Sequence, residues 1–437
     1  MPAHLQLTIL CAGFFLAPRY PLAQDLELSE LELARKAAEI HESVLTLDTH
    51  ADTPMVMMRD GFDVAKRHQW VPDLAQVDFP RMIEGGMDGV FFACFVSQGP
   101  RNGEGNTQAK ERAFAMINKV HEAIAANSET VELATTADAA YRIEKTGKRA
   151  IYIGIENGYP IGNDLGLLQE FYELGVRYIT LCHFTNNDIA DSSTDPKGPE
   201  HGGLSPFGEE VVKEMNRLGI LVDVSHTSDE TFWDSIELST APIIASHSSV
   251  DAVFSHPRNL KDDMLKALAK NGGVIQINGY SAYLADLPES SPERKAATEA
   301  FNKDFPRWWT ITDPERRKAA MSRRAEIEAA SPQPRATLAD FVDHVDHAVS
   351  VAGIEHVGIG MDFDGGGGVQ EVMDISEMGQ VTVELVRRGY SKEAIAKLWG
   401  GNFTRVMREV EAAAEAYRMD TWSLAPMEAE EPASIRQ

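Results

Sequence analysis

The chain has 437 residues, of which 43% are hydrophobic and 25% are charged, and this composition excludes disordered, fibrous and membrane-embedded proteins. Its 67 acidic and 41 basic residues leave a formal charge of −26, which argues against nucleic acid or an anionic lipid surface as a partner. Three cysteines are too few for a disulfide scaffold, so a metal ion would have to be bound by histidine and carboxylate side chains.

The amino-terminal end carries the pattern of a secretory signal. Residues 7–18 form an apolar run that is too short to span a bilayer, and Ala23 offers a small residue for cleavage. We therefore expect residues 1–24 to be a signal peptide and the protein to be exported, either periplasmic or secreted. No Lys or Arg precedes the run, so a misassigned start, and with it a cytoplasmic protein, stays the alternative.

Between residues 44 and 363, short apolar runs alternate with longer amphipathic helical patterns, which is typical of βα units around a parallel sheet. Eight such units predict a single (β/α)8 barrel of the TIM type over residues 25–420, with a doubly wound open sheet as the structural alternative. The predicted strands are 44–50, 87–95, 149–156, 176–183, 219–226, 242–247, 273–279 and 356–362.

Two further segments are set apart by their composition. Residues 284–335, between the seventh and eighth predicted strands, form a highly charged helical insert bounded by prolines. Because such an insert leaves from the catalytic rim of a barrel, we interpret it as a lid, a contact in a homodimer or a solvated decoration. Residues 421–437 are acidic and rich in Pro and Ala, without a hydrophobic anchor signal, so we expect a disordered tail and no membrane anchor.

Side chains that bind metals or move protons end six of the eight predicted strands. Active sites of (β/α)8 barrels lie at the carboxyl ends of the strands, so this coincidence favours the barrel over the open sheet. The six residues are His50, Glu156, His183, His226, His247 and Asp362.

Some of these residues have the chemistry of a metal site. His50 and Asp52 lie two positions apart, so their side chains share one face of the first strand. Together with Glu156, His226 and His247 they supply three imidazoles and two carboxylates, a donor set suited to Zn²⁺ and related divalent cations. Such a set is sufficient for two metal ions if one carboxylate bridges them.

Several longer motifs follow one another along the chain. They are LDTHADTP (47–54), GIENG (154–158), LCHFTNN (181–187), VDVSHTS (222–228), ASHSS (245–249), HPRNL (256–260) and GIGMDFDG (358–365). On these motifs, the segments 44–283 and 338–410 resemble the membrane (renal-type) dipeptidases, metallopeptidases of the amidohydrolase-like barrel group. Many relatives have a histidine near the position of Tyr159, and the insert 284–335 is not a general family feature.

The resemblance implies a zinc-dependent dipeptidase with two Zn²⁺ ions per chain. Such an enzyme hydrolyses the amide bond of small dipeptide substrates through a hydroxide held by the two metals. His50 and Asp52 are the expected ligands of one ion. His226 and His247 are the expected ligands of the other, and Glu156 is the expected bridge.

The resemblance also assigns the groups that handle the substrate. His183 is expected to bind the substrate and to stabilise the developing oxyanion, and Asp362 to act as the acid/base that moves the proton. Arg258 is expected to hold the free C-terminal carboxylate in a two-pronged ion pair. Asp364, on the same face as Asp362, is the second choice for the proton-handling group.

Other functions stay open on the sequence alone. Barrels of the phosphotriesterase or lactonase type bridge their metals through a carboxylated lysine after the fourth strand, and residues 178–184 contain no lysine. Dihydroorotase- and deaminase-like relatives open with His-x-His, whereas this chain opens with His50-x-Asp52. The alternatives are another amidohydrolase acting on a lactone or cyclic amide, and an inactive binding protein of the same fold.

Two residue pairs are given no functional role. His344 and His347 lie among acidic residues at helical spacing and are expected on a solvated helix face. Cys94 and Cys182 are expected to be buried thiols.

Overall fold

A computed structural model describes residues 29–423, except for 307, 309, 310 and 312. The predicted signal peptide, 1–24, lies outside the described residues. So does most of the predicted tail, since the last described helix ends at Ser423.

Ten parallel strands form the sheet, and eight of them make a ring. In chain order the strands are β1 (Leu47–Ala51), β2 (Gly89–Phe95), β3 (Val131–Leu133), β4 (Arg149–Glu156), β5 (Val176–Thr180), β6 (Leu221–Asp223), β7 (Ile244–Val250), β8 (Asn259–Leu260), β9 (Val274–Asn278) and β10 (Val357–Gly360). The order around the ring is β1-β2-β4-β5-β6-β7-β9-β10, while β3 pairs with β4 and β8 with β7 outside it.

The ring closes between β1 and the residues that follow β10. Ala51 and Phe363 form a parallel bridge. The amide of Asp52 donates to the carbonyl of Phe363 at 2.8 Å, and the amide of Asp362 donates to the carbonyl of His50 at 3.1 Å. The predicted (β/α)8 barrel is therefore confirmed, and the open sheet is wrong because the first and last strands meet.

Helices surround the ring and connect its strands. They are α1 (Glu30–His41), α2 (Thr53–Met57), α3 (Trp70–Asp73), α4 (Phe79–Glu84), α5 (Gly103–Ala126), α6 (Ala139–Glu144), α7 (Gly166–Glu173), α8 (Pro206–Leu218), α9 (Asp229–Leu238), α10 (Asp262–Asn271), α11 (Pro292–Asp304), α12 (Pro314–Ala330), α13 (Leu338–Ala352), α14 (Gly379–Arg387), α15 (Lys392–Ala396) and α16 (Asn402–Ser423). Of the helices described, none has the length and apolar character that crossing a membrane requires.

Local sequence fixes the helix boundaries. Helix α8 shows this clearly: the Ser205 hydroxyl accepts a hydrogen bond from the amide of Gly208, and Pro206 occupies the first helical position. The helix ends at Gly219, which adopts a left-handed conformation with φ 89°. Such boundaries place the loop at each strand end at a defined point of the rim.

Aromatic side chains fill the inside of the barrel. Phe91 stacks on Tyr152 and Tyr178 with ring centroids 4.6 and 5.1 Å apart, and Phe403 of α16 packs edge-on against Phe91 at 5.1 Å. Gly154 leaves the room for this layer, since a Cβ there would lie 2.3 Å from the ring of Tyr178. Below the carboxyl-terminal rim the barrel is thus a packed core.

The insert between the seventh and eighth strands of the ring is helical, as predicted. Its helices α11 and α12 pack together through Phe301, Ala320 and Ile327, which are buried. Helix α12 also contacts α3, which belongs to the loop after β1. The insert therefore adjoins the carboxyl-terminal rim of the barrel, and its contact with a second copy of the chain stays a prediction.

The expectation for His344 is wrong. Its side chain is fully buried, because α13 packs against β7 and β9. The amide of Val250 donates to His344 Nδ1 at 3.0 Å, and His344 Nε2 lies 3.0 Å from the carbonyl oxygen of Leu284. Since Nδ1 accepts, Nε2 carries the hydrogen, and the ring is neutral. His347 is only partly buried and pairs with Asp262.

Candidate metal centre

Side chains that can bind a metal meet where the strands of the ring end. His50 lies in β1, Asp52 directly follows this strand, and Glu156 is the last residue of β4. His226 follows β6, and His247 lies in β7. The parallel arrangement brings these residues to one rim although they are separated by up to 197 positions in sequence, and all five are buried.

Glu156 lies at the middle of this cluster. Its Oε1 is 3.0 Å from His226 Nε2, 3.3 Å from His247 Nε2 and 3.5 Å from His183 Nε2. Its Oε2 faces the opposite way, 3.8 Å from His50 Nε2. One oxygen of the carboxylate therefore faces three imidazoles, and the other faces His50.

Unpaired polar atoms indicate what the cluster can hold. His50 Nε2 and Asp52 Oδ1 are buried without a hydrogen-bond partner, and His50 Nε2 lies 3.6 Å from Asp52 Oδ2. Buried polar atoms normally have partners, so such atoms in a nitrogen and oxygen set fit a divalent cation. Three groups have ligand atoms within 4.8 Å of one another: His50, Glu156 and His247; Glu156, His183 and His226; and His50, Asp52 and Asp362.

A hydrogen-bond chain determines which nitrogen of His247 is free. The carboxylate of Asp223 accepts from the hydroxyls of Ser246 and Thr180, each at 2.6 Å. Since the Ser246 hydroxyl donates its hydrogen to Asp223, it must accept from His247 Nδ1, 2.8 Å away. The lone pair of His247 is then on Nε2, which points towards Glu156.

His50 is oriented in a similar way. Its Nδ1 lies 2.9 Å from the hydroxyl of Tyr178 at the top of the aromatic layer. When Nδ1–H donates to this oxygen, Nε2 presents its lone pair to Asp52 and Glu156. The packed core of the barrel thereby fixes the ring of a candidate ligand.

Charges in the cluster offset the effect of burial on the pKa values of Glu156 and His50. Burial alone would raise the pKa of Glu156, but the surrounding imidazoles of His183, His50, His226 and His247 outweigh it, so its pKa lies well below the usual value. Burial would conversely lower the pKa of His50, but in the absence of a cation the carboxylates of Glu156 and Asp52 raise it well above 6.5, so a metal ion bound at Nε2 would displace a proton from this atom. Glu156 therefore stays ionised within the barrel.

Burial has the opposite effect on other members of the cluster. It lowers the pKa of His183 to about 4 and holds the pKa values of His226 and His247 well below 6.5. It raises the pKa of Asp362 well above its usual value, against the opposing charge of His50. The three imidazoles are thus neutral near pH 7, which is the form that binds metals or donates a single hydrogen bond.

The backbone is strained at His226 and Asp362, as it is at the neighbouring Asp364, which has φ 65°. His226 has φ 72° and Asp362 has φ 61°, a left-handed region that non-glycine residues seldom occupy and that costs about 1–3 kcal/mol per residue. Neighbouring amides hold both residues: Ser193 donates to the carbonyl of His226 at 2.9 Å, and Gly367 to that of Asp362 at 2.8 Å. The strain directs both side chains towards the centre of the rim.

The two candidate acid/base residues differ in their surroundings. Both oxygens of Asp364 are engaged, one by the Thr53 hydroxyl at 2.8 Å and the other by the Gln76 amide at 2.7 Å. Asp362 receives only a long hydrogen bond from Asn278, at 3.5 Å. Asp362 is therefore the carboxylate that has capacity to exchange a proton, while Asp364 ties its loop to the start of α2 and to Gln76.

Arg258 lies beside the cluster and is buried. It donates to the carbonyl of His247 at 3.0 Å and to the hydroxyl of Ser248 at 3.4 Å, while its Nε has no partner. None of the described carboxylates forms an ion pair with it. Its guanidinium stands 5.5 Å from the ring of Tyr283, so it is a fixed cation next to the metal-binding side chains.

A small cavity gives access to the site. It has a volume of about 130 Å³ and is bordered by Phe95, Phe184 and Tyr283 together with the metal-binding side chains. Space of this size suits a small molecule rather than an extended polypeptide.

Sequence reasoning missed the residues that support the ligands. Tyr178, Asp223 and Ser246 each lie within a predicted strand; Asp223 and Ser246 also fall within the motifs VDVSHTS and ASHSS, but no role was assigned to them there. The sequence signal for these residues was the alternation of side chains between the two faces of a strand. Ser246 immediately precedes His247, and Tyr178 shares the inward face of its strand with Thr180. Only the pairing register shows which of these side chains reach a histidine.

A (β/α)8 barrel with a buried histidine and carboxylate cluster at the carboxyl ends of its strands defines a metal-dependent hydrolase of the amidohydrolase-like group. The sequence matches the profile of the membrane dipeptidases, peptidase family M19, over residues 34–420, and the chain belongs to this family. The protein is thus a metallopeptidase that acts as a dipeptidase, and the predicted resemblance is confirmed.

Individual relatives agree with this assignment. The chain is 34% identical to dipeptidase tcpJ of Claviceps purpurea, over 85% of this chain and 78% of the relative. It is 32% identical to dipeptidase verJ of Clonostachys rogersoniana, over 90% of each chain. A solved structure, the probable dipeptidase PvdM from Pseudomonas aeruginosa, superposes with a TM-score of 0.75 at 32% identity, over 88% of this chain and all of the other.

Proposed function

We propose that the protein is a zinc-dependent dipeptidase that holds two Zn²⁺ ions and cleaves dipeptides with a free C-terminal carboxylate. The observation that carries this proposal is the position of Glu156, whose Oε1 is within 3.5 Å of three imidazole nitrogens while its Oε2 faces a fourth. We further propose that residues 1–24 direct export of the chain.

The proposed metal ligands fall into two groups. His50 and Asp52 would hold one ion, and His226 and His247, whose Nε2 atoms are 2.9 Å apart, would hold the other. Glu156 would bridge the two. When bound, the ions supply positive charge that polarises the scissile carbonyl and lowers the pKa of water, which makes it a nucleophile near neutral pH.

The chain's own residues would move the proton. Asp362, whose pKa burial raises, can accept the proton of the attacking water and deliver it to the leaving amine. His183 is neutral near pH 7, because burial lowers its pKa to about 4, and can donate one hydrogen bond to the carbonyl oxygen as negative charge develops on it. Both residues line the small cavity.

Arg258 would set the length of the substrate. It is a buried cation without a carboxylate partner among the described residues, next to His247. A substrate carboxylate held there and a scissile carbonyl placed at Glu156 would be about one residue apart, which leaves no room for a longer C-terminal extension. The proposal therefore favours dipeptides over longer peptides.

The metal content, the metal dependence and the substrate preference of the purified protein test the proposed function. We expect mass spectrometry to find two zinc ions per purified chain. A chelator should abolish hydrolysis of L-Ala-L-Ala, and added Zn²⁺ should restore it. L-Ala-L-alaninamide should be about thirty- to several-thousand-fold poorer in kcat/KM, since a buried guanidinium that loses its partner costs about 2–5 kcal/mol. Full activity in metal-free protein, or equal hydrolysis of the amide, would refute the proposal.

A further inference from the structure

A second, larger cavity adjoins the candidate metal centre. It has a volume of about 390 Å³ and lies between the loop that contains Trp70, the insert and the glycine-rich loop after β10. Tyr280 and Gly365 border both this cavity and the small one over the metal-binding side chains. We call the larger cavity the insert chamber, since helices α11 and α12 form one of its walls.

The insert chamber is lined by three arginines. Arg294 forms an ion pair at 2.8 Å with Glu328, which is the one carboxylate among the described residues that line the chamber. Arg324 stacks over the ring of Trp308 at 4.2 Å, and Arg335 donates to the carbonyl of Gly368 at 3.1 Å. No described carboxylate forms an ion pair with Arg324 or Arg335, so the chamber has excess positive charge.

This excess is unusual in a chain with a net charge of −26. Burial, followed by repulsion from Arg59, lowers the pKa of Arg324 to about 10. Burial also lowers the pKa of Arg335; the carboxylate of Glu328 opposes this shift, and Arg294 adds to it. Glu328 partly offsets the effect of burial at both Arg324 and Arg335, but one carboxylate does not neutralise three arginines. Partly desolvated cations in excess cost free energy, and an anion bound among them would recover it.

The position of the chamber indicates which part of a substrate reaches it. Arg258 contacts β7 through the carbonyl of His247, whereas the chamber meets the small cavity at Tyr280 and Gly365, and Asp362 also borders the small cavity. If the C-terminal carboxylate binds Arg258, the amino-terminal residue points towards Asp362 and the opening. A side chain of this residue would extend past Tyr280 into the chamber.

We infer that the insert chamber selects dipeptides whose amino-terminal residue carries an anionic side chain, through Arg324 and Arg335. This inference rests on the proposed function, because it uses the substrate orientation set by Arg258. It assigns the insert a role in specificity, with a glutamyl or aspartyl side chain as the chemical class that it recognises.

Two substrate pairs that differ only in charge test the inference. L-Glu-L-Ala and L-Gln-L-Ala have the same shape, and we expect kcat/KM of the holoenzyme to favour the Glu dipeptide by about tenfold or more. L-Ala-L-Glu and L-Ala-L-Gln place the same difference in the second residue and should show no such preference. Equal rates for the first pair, or a preference confined to the second pair, would overturn the inference.

Matched variants locate the effect. Arg324→Gln and Arg335→Gln should each lower the ratio of Glu-Ala to Gln-Ala hydrolysis several-fold, and the double variant should bring it close to one. Arg323→Gln is the control, because Arg323 precedes Arg324 on the same helix but is exposed and pairs with Glu326 at 2.9 Å. This control should keep the wild-type ratio. An equal decrease in the control would mean that overall charge, rather than the chamber, sets the preference.

Hydrolysis of L-Ala-L-Ala separates the inference from the proposed function. If wild-type protein cleaves L-Ala-L-Ala but shows no preference for Glu-Ala, the inference fails and the proposed function stands. If it cleaves none of these dipeptides, the proposed function fails, and the inference falls with it. Thermal unfolding of each variant confirms that the fold is intact, so a changed ratio reports on recognition.

Discussion

At position 365 the chain passes so close to two carboxylates that only glycine fits. A Cβ there would lie 2.1 Å from Asp362 Oδ1 and 2.1 Å from Asp52 Oδ2. Real side chains never approach that closely, so any substitution has to displace one of these carboxylates. Gly365 therefore positions the loop that covers the candidate metal centre.

We expect Gly365→Ala to retain the fold and lower kcat/KM for a dipeptide by about two orders of magnitude or more, since displacing a reacting group by about 1 Å costs roughly that much. The control is Gly379→Ala, at the start of α14, where a Cβ meets nothing within 4 Å. Steady-state kinetics and metal content compare the two variants. Wild-type values for Gly365→Ala would show that the loop has room to adjust.

At the residue scale, sequence reasoning was sufficient for polar residues that end long strands. His50, Glu156 and His247 could be predicted because each lies at or near the end of an apolar run. Tyr178 and Gly365 could not, since their roles depend on which atoms approach across the barrel. The distances between such atoms across the barrel cannot be derived from the periodicity or the composition of the sequence.

Among the strands, the length of each one determined whether it could be predicted from the sequence. All eight strands of the ring were predicted, because each lies in an apolar run with β-branched residues. The two short strands outside the ring, β3 and β8, were missed because segments of two or three residues show no alternation. Strand β3 extends the sheet beside β4, and β8, which pairs with β7, begins directly after Arg258.

Helix α13 shows where an amphipathic pattern was misread. His344 lies three positions after Phe341 and one before Val345, both of which are buried, so it belongs to the apolar face. The acidic neighbours suggested a solvated face instead. His344 in fact joins the end of β7 to Leu284, the first residue of the insert.

This buried histidine makes stability depend on pH. Burial lowers the pKa of His344 in the folded protein, so the unfolded chain binds a proton first as the pH falls below about 6.5. The stabilisation from the neutral ring is fully present above that pH and is lost as the pH falls towards the folded-state pKa. His41 is shifted in the same direction by burial.

We expect His344→Gln to unfold more easily than wild type at pH 7.5, by about 1–3 kcal/mol, because its hydrogen bonds to Val250 and Leu284 are weakened. The difference in unfolding free energy should narrow at pH 5.5, where only wild type has this histidine to protonate on unfolding. Urea titrations at the two pH values measure this difference. A constant difference would mean that His344 does not titrate on unfolding.

For the molecule as a whole, the candidate metal centre connects distant parts of the barrel. Its proposed ligands come from β1, β4 and β7 and from the loop after β6, so a bound ion would hold these segments together. In the absence of cations, the carboxylates of Asp52, Glu156 and Asp362 repel one another within the barrel. Metal should therefore stabilise the whole fold and not only the site.

We expect removal of the metal to lower the unfolding temperature by several degrees, and Zn²⁺ to restore it in a concentration-dependent way. At a free metal concentration a thousandfold above Kd, the stabilisation is about 4 kcal/mol. Differential scanning calorimetry of chelated and reloaded protein measures the shift. His226→Ala, which removes one proposed ligand, should show a smaller shift, and identical shifts in both proteins would exclude His226 from the metal-binding set.

Closure of the ring through Ala51 and Phe363 has a consequence for the order of assembly during synthesis. The chain leaves the ribosome from its amino terminus, so His50 and Asp52 are available long before Asp362 exists. Until β10 has emerged, β1 has only one neighbour in the ring, and the spacing of its two ligands from His247 of β7, on the other side of the closure, is not fixed. We therefore expect high-affinity metal uptake only at the last stage of translation, because a nascent chain that stops short of residue 363 contains the proposed metal ligands without the geometry that unites them.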